Sequence, residues 1–299
     1  SRRIGESLKT GGHNAVAFEG DKELVEKLEE FMPRVLKGET PGMVFNLSYG
    51  IQGQARYTHV PGILEMVGIP YVGSGPLAHS LALDKVVSKM IFRQQGVPTA
   101  DFAVLRDRDF EPPPLAYPVI VKPQSEAVSF GIKIAKNLGE LREAAEVIFA
   151  KFSQPVLVES YIAGREINVG LLGNSPPDVL PPAEVKFGRS GPKIYRYEDK
   201  TGKSGRTITV ECPAKLSAAQ TARAKEIAMQ PGFHRLEMPD LAIIGIPDPL
   251  FSLGCGGDHQ IVNAGFHGLG QPPGLEEPAH NEIGMLVENS IDFLDGVAA

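Results

Sequence analysis

Tryptophan is absent from the 299-residue sequence, and cysteine occurs only at Cys212 and Cys255. Two cysteines are too few for a disulfide framework or a cysteine-rich zinc site, so we expect a reduced, cytoplasmic setting. No apolar run is long enough to cross a bilayer, and no hydrophobic signal core stands at the N-terminus, so we expect no membrane partner. The net charge of -6 comes from interspersed acids and bases, which argues against a nucleic-acid partner.

Predicted strands alternate with predicted helices in the first third of the chain. The strands cover Ala15–Phe18, Met43–Leu47 and Pro70–Val72, and the helices cover Lys22–Phe31, His59–Val67 and Ala78–Gln95. This alternation is typical of an α/β domain with a mostly parallel sheet.

The stretch from Tyr117 to Gly131 joins an apolar strand to a loop of small and polar residues. Val119–Val121 is continuous and β-branched, which suits a buried strand, and Lys122 follows at its end. Gln124–Gly131 has the length and composition of a loop whose backbone N–H groups can enclose an anion, and Ile132–Ala135 resumes an apolar strand. By itself this pattern favours an ordinary hairpin over a phosphate-binding lid.

The next elements follow from hydrophobic spacing. A helix over Leu138–Phe152 leads to a strand over Pro155–Tyr161, which we expect to pair with a strand over Glu166–Leu172. Gly188–Gly205 is polar, glycine-rich and long enough for an active-site loop. Further predicted elements are a helix over Ser217–Gln230, a strand over Leu241–Ile246 and a helix over Ile283–Val297.

Short motifs with a recognisable order run along the middle of the chain. They are Gly68–Gly75 followed by Ala82–Lys85, Val119–Pro123, Val156–Ile162 with Gly164–Glu166, Tyr195–Lys200, and Glu211–Ala214. In kind and in order they resemble the D-alanine–D-alanine ligase branch of the ATP-grasp enzymes, over roughly residues 1–238.

The resemblance implies an ATP-grasp fold, α/β (α+β) in class. We expect an N-terminal parallel-sheet α/β substrate domain over residues 1–78, a central α+β lid domain over 79–165, and a C-terminal α+β catalytic domain with a divergent tail over 166–299. It also implies an ATP-dependent ligase in which the γ-phosphoryl group of ATP moves to a carboxylate and an amine attacks the acyl phosphate. The implied partners are ATP, Mg²⁺ and small amino acids, and the implied assembly is a homodimer.

The resemblance also implies roles for individual residues. Lys85 and Lys122 would contact the nucleotide phosphates as compact positive charges, and Ser129 would close over them from the lid. Glu166 would accept hydrogen bonds from the ribose hydroxyls, and Lys200 would approach the γ-phosphate as a catalytic group. The residues expected to line the adenine are Glu159, Ser160, Tyr161 and Ile162.

The expected metal-binding strands depart from the family pattern. Phe233–Met238 resembles the first of them, with Arg235 as catalytic oxyanion stabiliser and Glu237 as the Mg²⁺ ligand. On the second, Ile244–Pro249 has no glutamate or asparagine where the oxygen ligands belong. This erosion keeps a second interpretation open, in which the protein binds nucleotide without turnover.

Other departures concern the lid and the two ends of the chain. Ala127 and Val128 stand in the lid where small donors are typical. Nothing before Ser1 corresponds to the family's opening strand, so either the N-terminus is truncated or that piece is missing from this sequence. A third interpretation is a metallohydrolase centred on the tail. Its candidate zinc ligands are Asp258, His259, His267, Glu276, Glu277, His280 and Glu282.

Overall fold

The computed structural model describes residues 2–31, 42–48, 50–127, 129–172, 177–188, 191, 193–229, 251–252 and 283–288. The chain divides into two compact units, one made of Ser1–Ser80 with Ala264–Ala299 and the other of Leu81–Asn263. The finer division into three domains at residues 78 and 165 stays a prediction. Within the described ranges, no helix is both long and apolar enough to cross a membrane.

The helices and strands are numbered in chain order. The α-helices are α1 (Arg2–Thr10), α2 (Leu24–Phe31), α3 (His59–Met66), α4 (Pro76–Leu83), α5 (Lys85–Gln94), α6 (Leu138–Phe152), α7 (Tyr197–Lys200) and α8 (Ala218–Ala228), with a 3-10 turn at Arg56–Thr58. The strands are β1 (Asn14–Glu19), β2 (Met43–Asn46), β3 (Tyr71–Val72), β4 (Phe102–Leu105), β5 (Val119–Pro123), β6 (Lys133–Ala135), β7 (Val156–Ser160), β8 (Arg165–Asn168), β9 (Leu171–Leu172), β10 (Asp178–Val179), β11 (Ala183–Phe187), β12 (Ile208–Glu211), β13 (Phe251–Ser252) and β14 (Ile283–Glu288).

The first unit contains a parallel sheet in the order β1-β14-β2-β3, which confirms the predicted parallel arrangement. Leu24 and Leu28 of α2 and Leu64 of α3 pack with Val44 and Tyr71 of the sheet in one apolar core. The helix predicted over residues 283–297 is wrong where the structure describes it, because residues 283–288 form the strand between β1 and β2. A strand buried inside a parallel sheet is a continuous apolar run, which hydrophobic spacing does not separate from a helix.

The single helix predicted over Ala78–Gln95 is also wrong, because the chain breaks it into α4 and α5 at Asp84. Asp84 has an extended backbone and its carboxylate accepts hydrogen bonds from the N–H groups of Val86 and Val87. An aspartate at this position accepts hydrogen bonds from the otherwise unpaired N–H groups of the first helical turn, so a new helix begins after it. The spacing of apolar residues does not change at Asp84, and it therefore gives no sign of this boundary.

The second unit contains an antiparallel sheet in the order β4-β7-β5-β6, and the predicted strand-loop-strand from residue 119 to 135 is confirmed as β5 and β6. Side chains alternate between the two faces of a strand. Val119 and Val121 therefore share one face with Val156 and Val158, where they pack against Leu141 and other residues of α6. Lys122 and Glu159 belong to the opposite face of the same sheet.

A second sheet of this unit has the order β12-β11-β8-β13. The predicted pairing of the strand over Pro155–Tyr161 with the strand over Glu166–Leu172 is wrong, because β8 pairs with β11 and β13 instead of β7. Ile167 of β8 is fully buried with Ile227 of α8 in a separate core. Ala163 and Gly164 lie in the short connection between β7 and β8, which belong to different sheets. A short connection between two strands therefore does not make them a hairpin here.

Candidate functional site

Two lysines and a glutamate form a buried charged cluster on the face of the antiparallel sheet opposite α6. Glu159 is 4% exposed, and its Oε1 lies 2.7 Å from the Nζ of Lys89 while its Oε2 pairs with the Nζ of Lys122. Burial raises the pKa of Glu159, but the two ammonium groups outweigh burial and lower the pKa to about 2. The carboxylate is therefore ionised across the physiological range.

The loop after β5 closes over Lys122 and forms a small cavity. Lys85, Lys122 and Ser129 line this cavity together with Glu126 and Phe130. The ammonium of Lys85 donates hydrogen bonds to the backbone carbonyls of Glu126 and, at 3.4 Å, of Gln124. The structure thus brings together Lys85, Lys122 and Ser129, three of the four residues predicted to contact phosphate, and the fourth, Lys200, is not part of this lining.

The first three residues of the loop are held by side-chain hydrogen bonds. The side-chain amide of Gln124 donates to Asp84 at 2.6 Å, which ties the loop to the residue that caps the N-terminus of α5. The amide of Gln154 donates to Glu126 at 2.7 Å, and its oxygen accepts from the N–H of Ser125 at 2.9 Å. These contacts hold the start of a loop whose composition alone predicts no fixed conformation.

Phe130 extends the loop into an aromatic contact with two other elements. Its ring lies 5.2 Å from the ring of Phe152 at the end of α6 and 5.0 Å from the ring of Tyr197 in α7. A Cβ atom on Gly131 would lie 2.9 Å from Pro123, and Gly131 has a φ of 79°, so glycine is required at this close approach. The lid therefore packs against the segment that carries Lys200.

Glu166 is a second buried carboxylate of the same unit and differs from Glu159 in its surroundings. It is 5% exposed, and no hydrogen bond from another described residue reaches its carboxylate. Burial raises the pKa of Glu166 to about 7, while Lys200 and Arg206 act in the opposite direction and Asp199 adds to the rise. Carboxylate oxygens of this kind can accept hydrogen bonds from hydroxyl donors of a ligand.

A buried ion pair anchors the segment around Lys200. The carboxylate of Asp199 accepts hydrogen bonds from the Nε and a terminal nitrogen of Arg206 at 2.6 and 2.7 Å. It also accepts one from the backbone N–H of Arg196 at 2.9 Å, and Arg206 donates to the carbonyl of Ile194 at 2.6 Å. The predicted active-site loop therefore contains a helical turn with a fixed charged core.

The segment predicted to line the adenine has fewer available donors than the sequence indicates. The N–H of Ser160 donates to the carbonyl of Asp101 at 2.9 Å, and the N–H of Tyr161 donates to the carbonyl of Pro118 at 3.2 Å. The Glu159 carboxylate is engaged by its two lysines. Among the described residues, the N–H of Ile162 has no backbone acceptor, so it is the donor of this segment that best fits the adenine prediction.

Sequence reasoning missed Lys89, and two predicted residues cannot be placed. Lys89 is 2% exposed and lies one turn after Lys85 on α5, a spacing that puts both on one helix face. Because lysine is rarely buried, nothing in the sequence around Lys89 indicates that its side chain is inside the protein. Arg235 and Glu237 lie outside the described residues, and in the described part of the chain no group of three or more His, Cys, Asp or Glu side chains could hold a metal ion.

Comparison with known proteins gives the following similarities. Residues 91–246 match the family model described as D-ala D-ala ligase C-terminus. The chain is 42% identical over 223 residues to a Sinorhizobium fredii protein described as uncharacterized protein y4sG, 34% identical over 198 residues to the D-alanine–D-alanine ligase of Bacillus velezensis, and 33% identical over 215 residues to that of Geobacter sulfurreducens. These matches use 75%, 63% and 70% of this chain, and they cover 66%, 54% and 63% of the three relatives.

Solved structures share the fold. The crystal structure of D-alanine–D-alanine ligase from Bacillus anthracis complexed with ATP matches with a TM-score of 0.57 and 22% identity, over 80% of this chain and 74% of that one. The VanG D-Ala:D-Ser ligase from Enterococcus faecalis matches with a TM-score of 0.56 and 21% identity, over 71% of this chain and 62% of that one. At this identity the likeness concerns the fold.

Proposed function

The chain belongs to the D-alanine–D-alanine ligase family and has its ATP-grasp fold, and on that premise we propose that it is an ATP-dependent ligase that joins an amino-acid carboxylate to an amine. The first relatives are matched over less than two thirds of their length, so the activity is proposed from the site. One observation carries the proposal: Lys85, Lys122 and Ser129 line one cavity beneath the loop that follows β5.

The reaction we propose has two steps. A carboxylate oxygen of the first amino acid attacks the γ-phosphorus of ATP, the bond to the bridging oxygen breaks, and ADP leaves with an acyl phosphate formed. The amine nitrogen of the second amino acid then attacks the acyl carbon, inorganic phosphate leaves, and the nitrogen loses a proton. Such a reaction needs little covalent chemistry from the protein and depends on positioning and charge neutralisation.

The described residues suit the parts of a nucleotide. Lys85 and Lys122 offer compact positive charges to the phosphates, and Ser129 adds a hydroxyl and a backbone donor from the lid. Glu166 offers acceptor oxygens to the ribose hydroxyls, and Ile162 offers backbone groups to the adenine. Lys200 acts on Glu166 electrostatically and belongs to the segment packed against the lid, so we assign it to the γ-phosphate.

The proposal also includes magnesium. We propose that Mg²⁺ is bound mainly through the ATP phosphates, with Glu237 as a protein ligand and Arg235 as oxyanion stabiliser, and both of these lie outside the described residues. The cation would neutralise phosphate charge during transfer. A cytoplasmic location and a homodimeric assembly also stay predictions, which cell fractionation and sedimentation test.

Replacing Lys122 with alanine tests the phosphate site. We expect Lys122→Ala to abolish ATP turnover while the protein still folds, because Glu159 keeps Lys89 as its counter-charge. Lys133→Ala is the matched control, since Lys133 is an exposed lysine on the neighbouring strand β6. Unchanged turnover in Lys122→Ala, with circular dichroism showing a folded protein, would refute the placement of the phosphate site.

The other two interpretations give different outcomes in the same experiments. A protein that binds nucleotide without turnover would bind ATP and form no ADP with any amino acid. A metallohydrolase centred on the tail would contain stoichiometric zinc, which metal analysis of the purified protein measures. Its candidate ligands lie outside the described residues, and the family membership gives it no support.

A further inference from the structure

Lys89 is a buried charge that the proposed ligand contacts do not use. Its ammonium lies 2.7 Å from Oε1 of Glu159 and 2.6 Å from Oγ1 of Thr99, and it stands 5.2 Å from the ring centroid of Phe102. Lys89 is among the largest fully buried side chains in the described part of the chain. Burying an ammonium group costs free energy unless a partner of opposite charge compensates it. The effect of Lys89 on its partner Glu159 is therefore the place to look for its role.

Glu159 stands between two lysines and gives each of them one oxygen. Oε1 faces Lys89 and Oε2 faces Lys122. One carboxylate balances the charge of one ammonium group, so these three side chains together keep a single positive charge. If Lys89 were neutral, Glu159 and Lys122 would form a balanced pair, and an incoming phosphate would meet little net attraction from them.

The two lysines of helix α5 occupy different places around this cluster. Lys85 lines the cavity under the lid, as does Lys122, whereas Lys89 is not among the described residues that line it. Lys89 lies on the same face of the sheet as Glu159, which it contacts, but it is not part of the cavity lining. Its effect on a ligand has to pass through Glu159 and Lys122.

We propose that Lys89 is a positioning residue that takes up the charge of Glu159 and leaves the positive charge of Lys122 available to the phosphates of the nucleotide. The proposal rests on the proposed function, because it assumes that the cavity binds nucleotide phosphate. It adds a requirement to that function: Lys122 binds phosphate strongly only while a second buried cation satisfies its neighbouring carboxylate.

The phosphate-specific part of binding separates this role from simple packing. Calorimetry gives the dissociation constants of ATP and of adenosine, and their ratio reports the contribution of the phosphates alone. Lys89→Met keeps the length of the side chain and removes its charge. We expect the ATP-to-adenosine affinity ratio to fall by about tenfold or more in this variant, because a unit charge is worth at least this much in a buried site. A loss that is equal for ATP and adenosine would mean that Lys89 only packs, and would overturn the proposal.

Arg93→Met is the matched control. Arg93 lies one turn further along α5, its guanidinium stands 4.4 Å from the same Phe102 ring, and it pairs with Asp101 at 3.1 Å on the surface. It therefore loses a cation from the same helix and the same ring without contact with Glu159. We expect its affinity ratio to equal that of the unchanged protein.

A double-mutant cycle keeps the test valid even if Lys89→Met alone does not fold. In a Glu159→Gln background there is no carboxylate charge for Lys89 to take up, so adding Lys89→Met should change the affinity ratio by less than about threefold. A fall of about tenfold in that background as well would show that Lys89 acts without Glu159 and would overturn the proposal. If the unchanged protein binds neither ATP nor ADP, the proposed function itself fails, which is a distinct result.

Discussion

Replacing Glu166 with glutamine should stabilise the protein at high pH and weaken its binding of the ribose. Glu166 is 5% exposed, and burial raises its pKa from 4.5 to about 7. A carboxyl group with a raised pKa binds a proton more tightly in the folded state than in the unfolded state. Between pH 4.5 and 7 the unfolded chain therefore loses its proton first, and the free energy of unfolding falls as the pH rises.

The magnitude follows from the same two pKa values. One pKa unit is worth about 1.4 kcal/mol, so ionising Glu166 in the folded state costs about 3 kcal/mol above pH 7. The Glu166→Gln variant carries no such cost. Urea unfolding across the pH range should show the two proteins close in stability near pH 4.5, with the variant more stable by about 3 kcal/mol at pH 8.

Glu184 provides the control with the opposite sign. It lies on β11 beside β8, its carboxylate accepts hydrogen bonds from Arg165 at 2.8 and 2.6 Å, and its pKa is lowered, with the Arg165 hydrogen bond as the largest cause. Glu184→Gln should lose stability at neutral pH, where that carboxylate is ionised and paired. Glu166→Gln should at the same time bind adenosine more weakly at pH 8. A Glu166→Gln variant that is destabilised at pH 8 would refute the reasoning, because it would mean that the charge is satisfied in the folded state.

Further predictions concern an imidazole, an apolar core and an ion pair. Burial lowers the pKa of His79 from 6.5 to about 4. As the pH falls through this range the unfolded chain binds the extra proton first, so the free energy of unfolding drops. His79→Gln should remove that part of the acid sensitivity in urea titrations at pH 4 to 7. Leu141 is fully buried against the antiparallel sheet, so Leu141→Ala should cost about 2–5 kcal/mol in the same assay. On the same helix, Val147→Ala should change stability by about 0.5 kcal/mol or less, since Val147 is 50% exposed. Asp199→Ala leaves the buried Arg206 guanidinium without its carboxylate and should lower the free energy of unfolding by about 3–5 kcal/mol. Amide hydrogen exchange in α7 should also become faster. Exchange as slow as in the unchanged protein would show that the pair does not anchor the segment.

The cluster of Lys89, Lys122 and Glu159 shows which parts of the site the sequence predicts. The β-branched run before Lys122 predicted a strand with a lysine at its end, and the strand containing Glu159 was predicted within one residue at each end. The register of β5 with β7, which the sequence does not give, then places both side chains on one face, because residues two apart on a strand share a face. Lys89 could not be found in this way, since its burial depends on α5 lying over that face, which is a tertiary contact.

The errors share a physical cause. Residues 283–288 were predicted as helix, and residues 78–95 as one uninterrupted helix, because apolar spacing reports burial and not the partner against which an element is buried. Likewise, the short connection between β7 and β8 predicted a hairpin, although the strands belong to different sheets. Local composition fixes the existence of an element better than its pairing, which depends on residues distant in the sequence.

The most direct test of the central claim is ADP formation from ATP and Mg²⁺ across a panel of D- and L-amino acids. The proposed ligase predicts ADP release that requires an amino acid, saturates with its concentration and disappears in Lys122→Ala. ATP binding without ADP release for any member of the panel would contradict the ligase, and would leave a family member that keeps the nucleotide site without the reaction.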